Sequence, residues 1–253
     1  MTLRDEWASF LLAVQFLTRI PVPDPGYTPE RMAASARWHP AAGALAGALT
    51  GLVFWAGALV WPPVVAALAS TAFGLLLTGC FHEDGFADAC DGLGGGTTRE
   101  RALEIMRDSR LGTYGTAGLT MMLAGKVAVL AALPPWAVPW VLVGVHAASR
   151  ASAVVVLATS SYVRDHGTGK PVSEGIAAGD LAVPLVSGAV ALLPVAVALG
   201  PMAGLAGLAG LVLGHVLMRR RFERRLGGYT GDCLGAVQQC SEIGFLLGLL
   251  AWV

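Results

Sequence analysis

From Leu181 to Met218 no residue carries a formal charge, and only Gly200-Pro201 interrupts the run. A helix rises 1.5 Å per residue and the hydrocarbon of a bilayer is about 30 Å thick, so this run crosses twice with a tight turn at the Gly-Pro. Residues 41–61 and 64–81 repeat the pattern around Pro62-Pro63, and residues 115–133 and 136–158 repeat it around Pro134-Pro135. Residues 234–252 form a last apolar segment whose first half carries Gln238, Gln239 and Glu242, so it either lines the bundle interior or dips in without crossing. At the start, residues 5–18 begin with the acids Asp5 and Glu6 and run into an apolar stretch too short to cross, which suits a helix lying at the interface and stopped by Pro21 and Pro23. The expected fold class is all-α: one integral-membrane domain over 1–253, a polytopic bundle of about seven transmembrane helices with an N-terminal interfacial helix. A hydrophobic content of 55%, a charged content of 13% and a mean hydropathy of +0.64 agree. Gly43, Gly47 and Gly51 place a small-residue groove on one helix face.

Basic residues fall in alternate loops. Arg4, Arg19, Arg31 and Arg37 precede the first span, and Arg99, Arg101, Arg107 and Arg110 follow the second. Arg164 and Lys170 follow the fourth, and Arg219, Arg220, Arg221, Arg224 and Arg225 follow the sixth. The turns at 62–63, 134–135 and 200–201 carry none. Positive residues stay inside, so the N-terminus and every polar cluster are expected on the cytoplasmic face of a prokaryotic inner membrane. No cleavable signal is expected, because residues 7–17 lack a small-residue cleavage site after them. Cys80, Cys90, Cys233 and Cys240 show neither a CxxC pair nor zinc spacing and read as small apolar residues. Gly169-Lys170 invites a phosphate-loop reading, but Arg164 stands where that pattern needs glycine and Pro171 follows the lysine.

Against this apolar background Glu83, Asp84, Asp88 and Asp91 crowd the end of the second span. On a helix Asp84, Asp88 and Asp91 stand at i, i+4 and i+7, one narrow stripe whose mutual repulsion a proton or a hard cation such as Mg²⁺ relieves. Glu83, about 100° off the stripe, is free to act as a base. The knot from Arg107 to Gly115 sets arginines among Gly, Ser and Thr, and a glycine turn at 227–231 carries Asp232. Acids for a divalent metal and arginines for phosphate oxygens are the parts of phosphoryl transfer. Plainer readings stand beside these: the arginines after the sixth span as topology anchors, His82 as an interfacial histidine, Lys126 and Glu242 as a pair or as snorkelling side chains.

Four stretches carry a resemblance to the cobalamin synthase (adenosylcobinamide-GDP ribazoletransferase) family. They are Phe16 to Pro23, Glu83 to Asp88 with Asp91-Gly92, Asp108 to Gly115, and Gly227 to Asp232 with Leu234-Gly235-Ala236. Where members of that family tend to carry an acid, this chain has Gln238 and Gln239. The resemblance implies transfer from adenosylcobinamide-GDP to α-ribazole or its 5′-phosphate, giving adenosylcobalamin or its phosphate and GMP, with Mg²⁺ as cofactor. It assigns Asp84, Asp88, Asp91 and Asp232 to metal, Arg107 and Arg110 to the pyrophosphate, and Glu83 to the base. Arg19, Ser109, Thr113, Tyr114 and Gly231 follow as substrate contacts, so the site is built from 82–115 and 227–236. The expected partners are those substrates and the lipid bilayer, with no nucleic acid, and a homo-oligomer is compatible with the sequence. Two rivals remain open. A CDP-alcohol phosphotransferase needs an Ala-Arg pair after its first Asp-Gly, where this chain has Gly85-Phe86-Ala87-Asp88. A cation transporter or channel would place acids near the midplane of its spans rather than at one face.

Overall fold

In the computed structural model, residues 2–164 and 178–253 are described; Gly169 and Lys170 lie outside them. The described residues are mostly helical, apart from the irregular stretch 18–28, turns, two short 3₁₀ segments and one isolated bridge between Tyr162 and Tyr229. Thr2 caps α1 (Leu3–Leu17) and α2 (Pro29–Ser35) runs through a short 3₁₀ turn into α3 (His39–Ala58). Glu6 ties α1 to that turn by accepting from Arg37 Nη1 and Trp38 Nε1, both at 3.0 Å. Then come α4 (Pro63–Thr78), α5 (Phe81–Gly95), α6 (Arg99–Ile105), α7 (Thr113–Ala132) and α8 (Val138–Thr159). The last four are α9 (Ala182–Ala191), α10 (Leu193–Leu199), α11 (Pro201–Leu226) and α12 (Gly231–Leu250).

Six of the helical stretches are long and apolar enough to cross a membrane, and the α4–α5 pair makes up to seven. Each proline turn falls where expected, and the Gly200-Pro201 break is made by Gly200 at φ +92°. The second span ends differently from a simple helix terminus. Gly79 (φ +65°) and Cys80 (φ +59°) both take the left-handed conformation, and α5 leaves at 90° to α4. A helix with four acids is costly in hydrocarbon, so we read α5 as lying across the end of the bundle, outside the spans.

Packing follows the glycines. Lipid offers no hydrophobic drive between helices, so close van der Waals contact has to hold them. The Gly43-Gly47-Gly51 face receives α8; a Cβ at Gly51 would lie 3.0 Å from the backbone of Pro139, and the other two meet the α8 backbone more closely still. α8 is buried on nearly every face and forms the centre, with α3, α12, α9 and α10 around it. Helix α12 is packed as tightly: it runs along α11, and Gln238, Gln239 and Glu242 are buried, so the last segment lines the interior. Replacing Gly47 by Leu is expected to force α3 off α8 and lower stability by about 1–3 kcal/mol. Thermal unfolding in detergent measures this; an unchanged midpoint would mean that the two backbones are not in contact.

Candidate active site at one end of the bundle

The site is assembled where α5 meets the N-termini of α7 and α12. Asp91 makes the first junction. Its Oδ2 accepts from Gly112 N at 2.7 Å and its Oδ1 from Gly115 N at 2.8 Å. These are orphan amides at the start of α7, which has no side-chain cap of its own, so Asp91 caps it from another helix. Both its oxygens are thereby engaged, and the expected stripe divides: Asp91 holds the knot to α5, while Asp84 and Asp88 face elsewhere.

They face Asp232. α12 begins at the N-cap Thr230, whose hydroxyl accepts from Cys233 N and donates to Asp232 Oδ2 at 3.3 Å. Gly85 admits this first turn, since a Cβ there would stand 3.0 Å from Asp232 Cα. Arg164 Nη2 pairs with Asp232 Oδ2 at 2.8 Å. The bridge that positions it runs from Tyr229 N to Ser161 O (2.9 Å) and from Val163 N to Tyr229 O (3.0 Å). Asp84 is exposed and Asp88 is half-buried. Burial first, then the charges of Asp232 and Asp84, push the Asp88 carboxyl up to about 7, with Arg164 opposing. Four carboxylates, Asp84, Asp88, Asp91 and Asp232, thus share one charged neighbourhood.

Glu83 points the other way, into the bundle. It is buried and its Oε1 accepts from Gln239 Nε2 at 2.9 Å, while Oε2 has no hydrogen-bond partner among the described residues. Below it a polar chain continues: Gln238 Nε2 donates to Ser149 Oγ and Glu242 Oε2, each at 2.8 Å, and Lys126 closes an ion pair on Glu242. Lys126 and Glu242 therefore pair rather than snorkel, as a buried charge in a membrane must.

The basic residues are less gathered than the acids. Arg110 is 87% exposed and turned back on Asp108 at 2.6 Å, which holds the Asp108 carboxyl down to about 2. Arg107, Ser109 and Thr113 are exposed, and the exposed Tyr114 lies against Gly94 of α5. Arg19 sits at the α4–α5 bend, its backbone N donating to Leu77 O at 2.7 Å and its guanidinium against Gly79. Gly231 lines a cavity of about 120 Å³ together with Asp84 and Asp232. Two residues at the site were not expected from sequence. Arg164 read only as a loop charge, because its partner comes from the far side of a fold-dependent bridge. Gln239 read only as a departure from a family pattern. The arginines after the sixth span also do more than anchor: Arg221 donates to Leu93 O at 3.1 Å and Arg225 to Thr97 O at 3.0 Å, satisfying carbonyls at and just beyond the end of α5.

An acid-lined polar site at the end of a bundle of six or seven helices long and apolar enough to cross a membrane marks an integral-membrane protein. A profile of the cobalamin-5-phosphate synthase family matches residues 9–250. Adenosylcobinamide-GDP ribazoletransferases are similar over nearly the full length: that of Leptothrix cholodnii is 46% identical, covering 96% of this chain and 95% of the relative. Those of Ralstonia pickettii (43%; 99% and 98% covered) and Vibrio parahaemolyticus (41%; 99% and 95%) follow. No solved structure matches. The chain belongs to the cobalamin-5-phosphate synthase family and is a transferase of cobalamin synthesis.

Asp91→Ala strands two amides at a buried junction and is expected to destabilise by about 1–3 kcal/mol. Asp84→Ala, on an exposed carboxylate, is expected to stay within about 0.5 kcal/mol of the parent. Unfolding midpoints of the two variants in the same detergent check the division of the stripe.

Proposed function

We propose that this chain transfers the adenosylcobinamide phosphate of adenosylcobinamide-GDP to the ribose of α-ribazole or its 5′-phosphate, releasing GMP, on the cytoplasmic face of a bacterial inner membrane. The observation that carries the reading is the convergence of Asp84, Asp88 and Asp232 from the two stretches that the family resemblance also singles out. The charge alternation along the chain supports the orientation, because it puts this end and the N-terminus with the arginines.

The donor set fits Mg²⁺ in chemistry. Carboxylate oxygens are the ligands this ion prefers, and the repulsion that lifts Asp88 is what a cation would relieve. Among the described residues no three His, Cys, Asp or Glu side chains close on one ion. Mg²⁺ commonly takes one or two carboxylates and completes its shell with water and substrate phosphate, so Asp84, Asp88 and Asp232 suffice as candidates, with Asp91 supporting from its cap. When bound, the ion would neutralise charge on the pyrophosphate.

The bonds of the transfer are simple. A ribose hydroxyl oxygen forms a bond to the phosphorus nearer the corrinoid, the bridging P–O bond to GMP breaks, and the hydroxyl proton is taken up by protein. Glu83 is our candidate to receive that proton through a relay, since it faces the bundle interior beside Asp84, with Oε1 held by Gln239 and Oε2 unpartnered. Arg107 and Arg110 are candidates for the pyrophosphate; Arg110 would leave Asp108 to do so, a short swing for an exposed side chain. Arg19, Ser109, Thr113, Tyr114 and Gly231 border the same end.

In membranes carrying the protein, Asp84→Ala or Asp88→Ala is expected to lower GMP release by about 10²–10³-fold. Wild-type turnover in a properly inserted variant would remove the acids from the reaction. Because Asp88 holds its proton below about pH 7, the Mg²⁺ needed for half-activity should rise about tenfold from pH 8 to pH 6. Asp88→Asn should flatten that dependence. Ion flux in liposomes without substrate, with no GMP release, would favour a transporter instead.

A further inference from the structure

The cavity beside the acids has a composition the reaction so far does not use. Its walls are aromatic: Phe16 from the end of α1, His39 from the start of α3, and Phe81 and His82 from the start of α5. Phe16 and His39 are nearly parallel, 18° between planes with centroids 5.9 Å apart, and Phe81 stands edge-on to Phe16 at 71° and 5.2 Å. Ala153 and Leu157 of α8 complete an apolar floor, and Asp84 and Asp232 stand in the remaining wall. His39 is only 6% exposed, and its Nε2 is buried with no hydrogen-bond partner among the described residues. A buried ring nitrogen without a partner is costly unless a ligand supplies one.

We propose that this cavity seats the acceptor's base, a planar bicyclic aromatic heterocycle lying parallel to the Phe16 and His39 rings, with its ribose directed to Asp84 and Asp232. The inference rests on the reading that ribazole, a benzimidazole riboside, is the acceptor. At about 120 Å³ the cavity is well below the roughly 300–1,000 Å³ that encloses a larger ligand, so it takes one ring system and excludes the corrinoid. A guanine is also flat and bicyclic, and Asp84 and Asp232 could accept from its amide and amino groups, so guanosine is the control competitor. A benzimidazole presents one free ring nitrogen, which the His39 imidazole can meet as a donor. Stacking on aromatic side chains supplies affinity that depends on the π-face alone.

The test uses the full chain in nanodiscs, with free benzimidazole and guanosine as competitors in the GMP-release assay. Benzimidazole is expected to compete with ribazole and not with adenosylcobinamide-GDP, and guanosine not to compete with ribazole. His39→Ala and Phe16→Ala are expected to raise the KM for ribazole, and the inhibition constant of benzimidazole, about tenfold, as for one lost base–aromatic stack. The KM for adenosylcobinamide-GDP should stay within about twofold. Competition of benzimidazole with the corrinoid donor, or an unchanged ribazole KM in both active variants, overturns the assignment while leaving the transferase reading intact. Absence of GMP release by wild type with any ribazole acceptor would instead sink that reading. Should a variant fail to insert, the wild-type competition pattern decides.

Discussion

Gly85 on α5 faces the backbone of Asp232, and Gly235 on α12 faces the backbone of His82, so two helices from distant parts of the chain touch main chain to main chain. Everything at the site depends on that approach. A side chain at either position would lift the first turn of α12 off α5, and with it Asp232 would leave Asp84 and Asp88. The same contact brings Gln239 down onto Glu83 and sets the wall of the aromatic cavity. In a bilayer such contacts are the main source of helix association, because burying apolar side chains gains little when the solvent is itself apolar.

A second constraint is electrostatic. Acids that repel one another are held at one end by backbone amides, one arginine and burial, not by a balancing set of cations. The interior beneath is handled in the opposite way: Lys126 and Glu242 neutralise each other, and Gln238, Ser149 and Ser152 satisfy neighbouring groups across α8 and α12. At the bundle end, by contrast, Asp84, Asp88 and Asp232 gather around a single paired arginine, Arg164. That contrast is what distinguishes a site from a structural ion pair here.

The uncharged runs and proline turns placed most ends of the long helices to within a few residues, since hydrocarbon tolerates so few alternatives, but α11 runs eight residues past Met218 to Leu226 and carries the five arginines expected in a loop. The glycine groove at 43–51 was legible for the same reason. Less legible was the end of the second span, because the two successive left-handed residues at Gly79 and Cys80 leave no pattern in hydropathy. The acids were visible as a stripe, and α5 is a helix as expected. Which of them cap and which remain free was not, because Asp91 differs from Asp88 only in having the α7 amides beside it. Arg164 and Gln239 were invisible for a related reason: each acts through a partner that is distant in sequence.

The sequence by itself determined that this chain is a helical membrane bundle, which loops gather its polar residues, and which family it resembles. Those follow from composition, period and local motif, all of which are set by neighbours along the chain. Only the tertiary structure decided that α5 turns across the bundle end, that Asp232 joins Asp84 and Asp88 while Asp91 serves α7, and that an aromatic cavity opens beside them. These depend on backbone approach and on partners far apart in sequence, which no local pattern specifies.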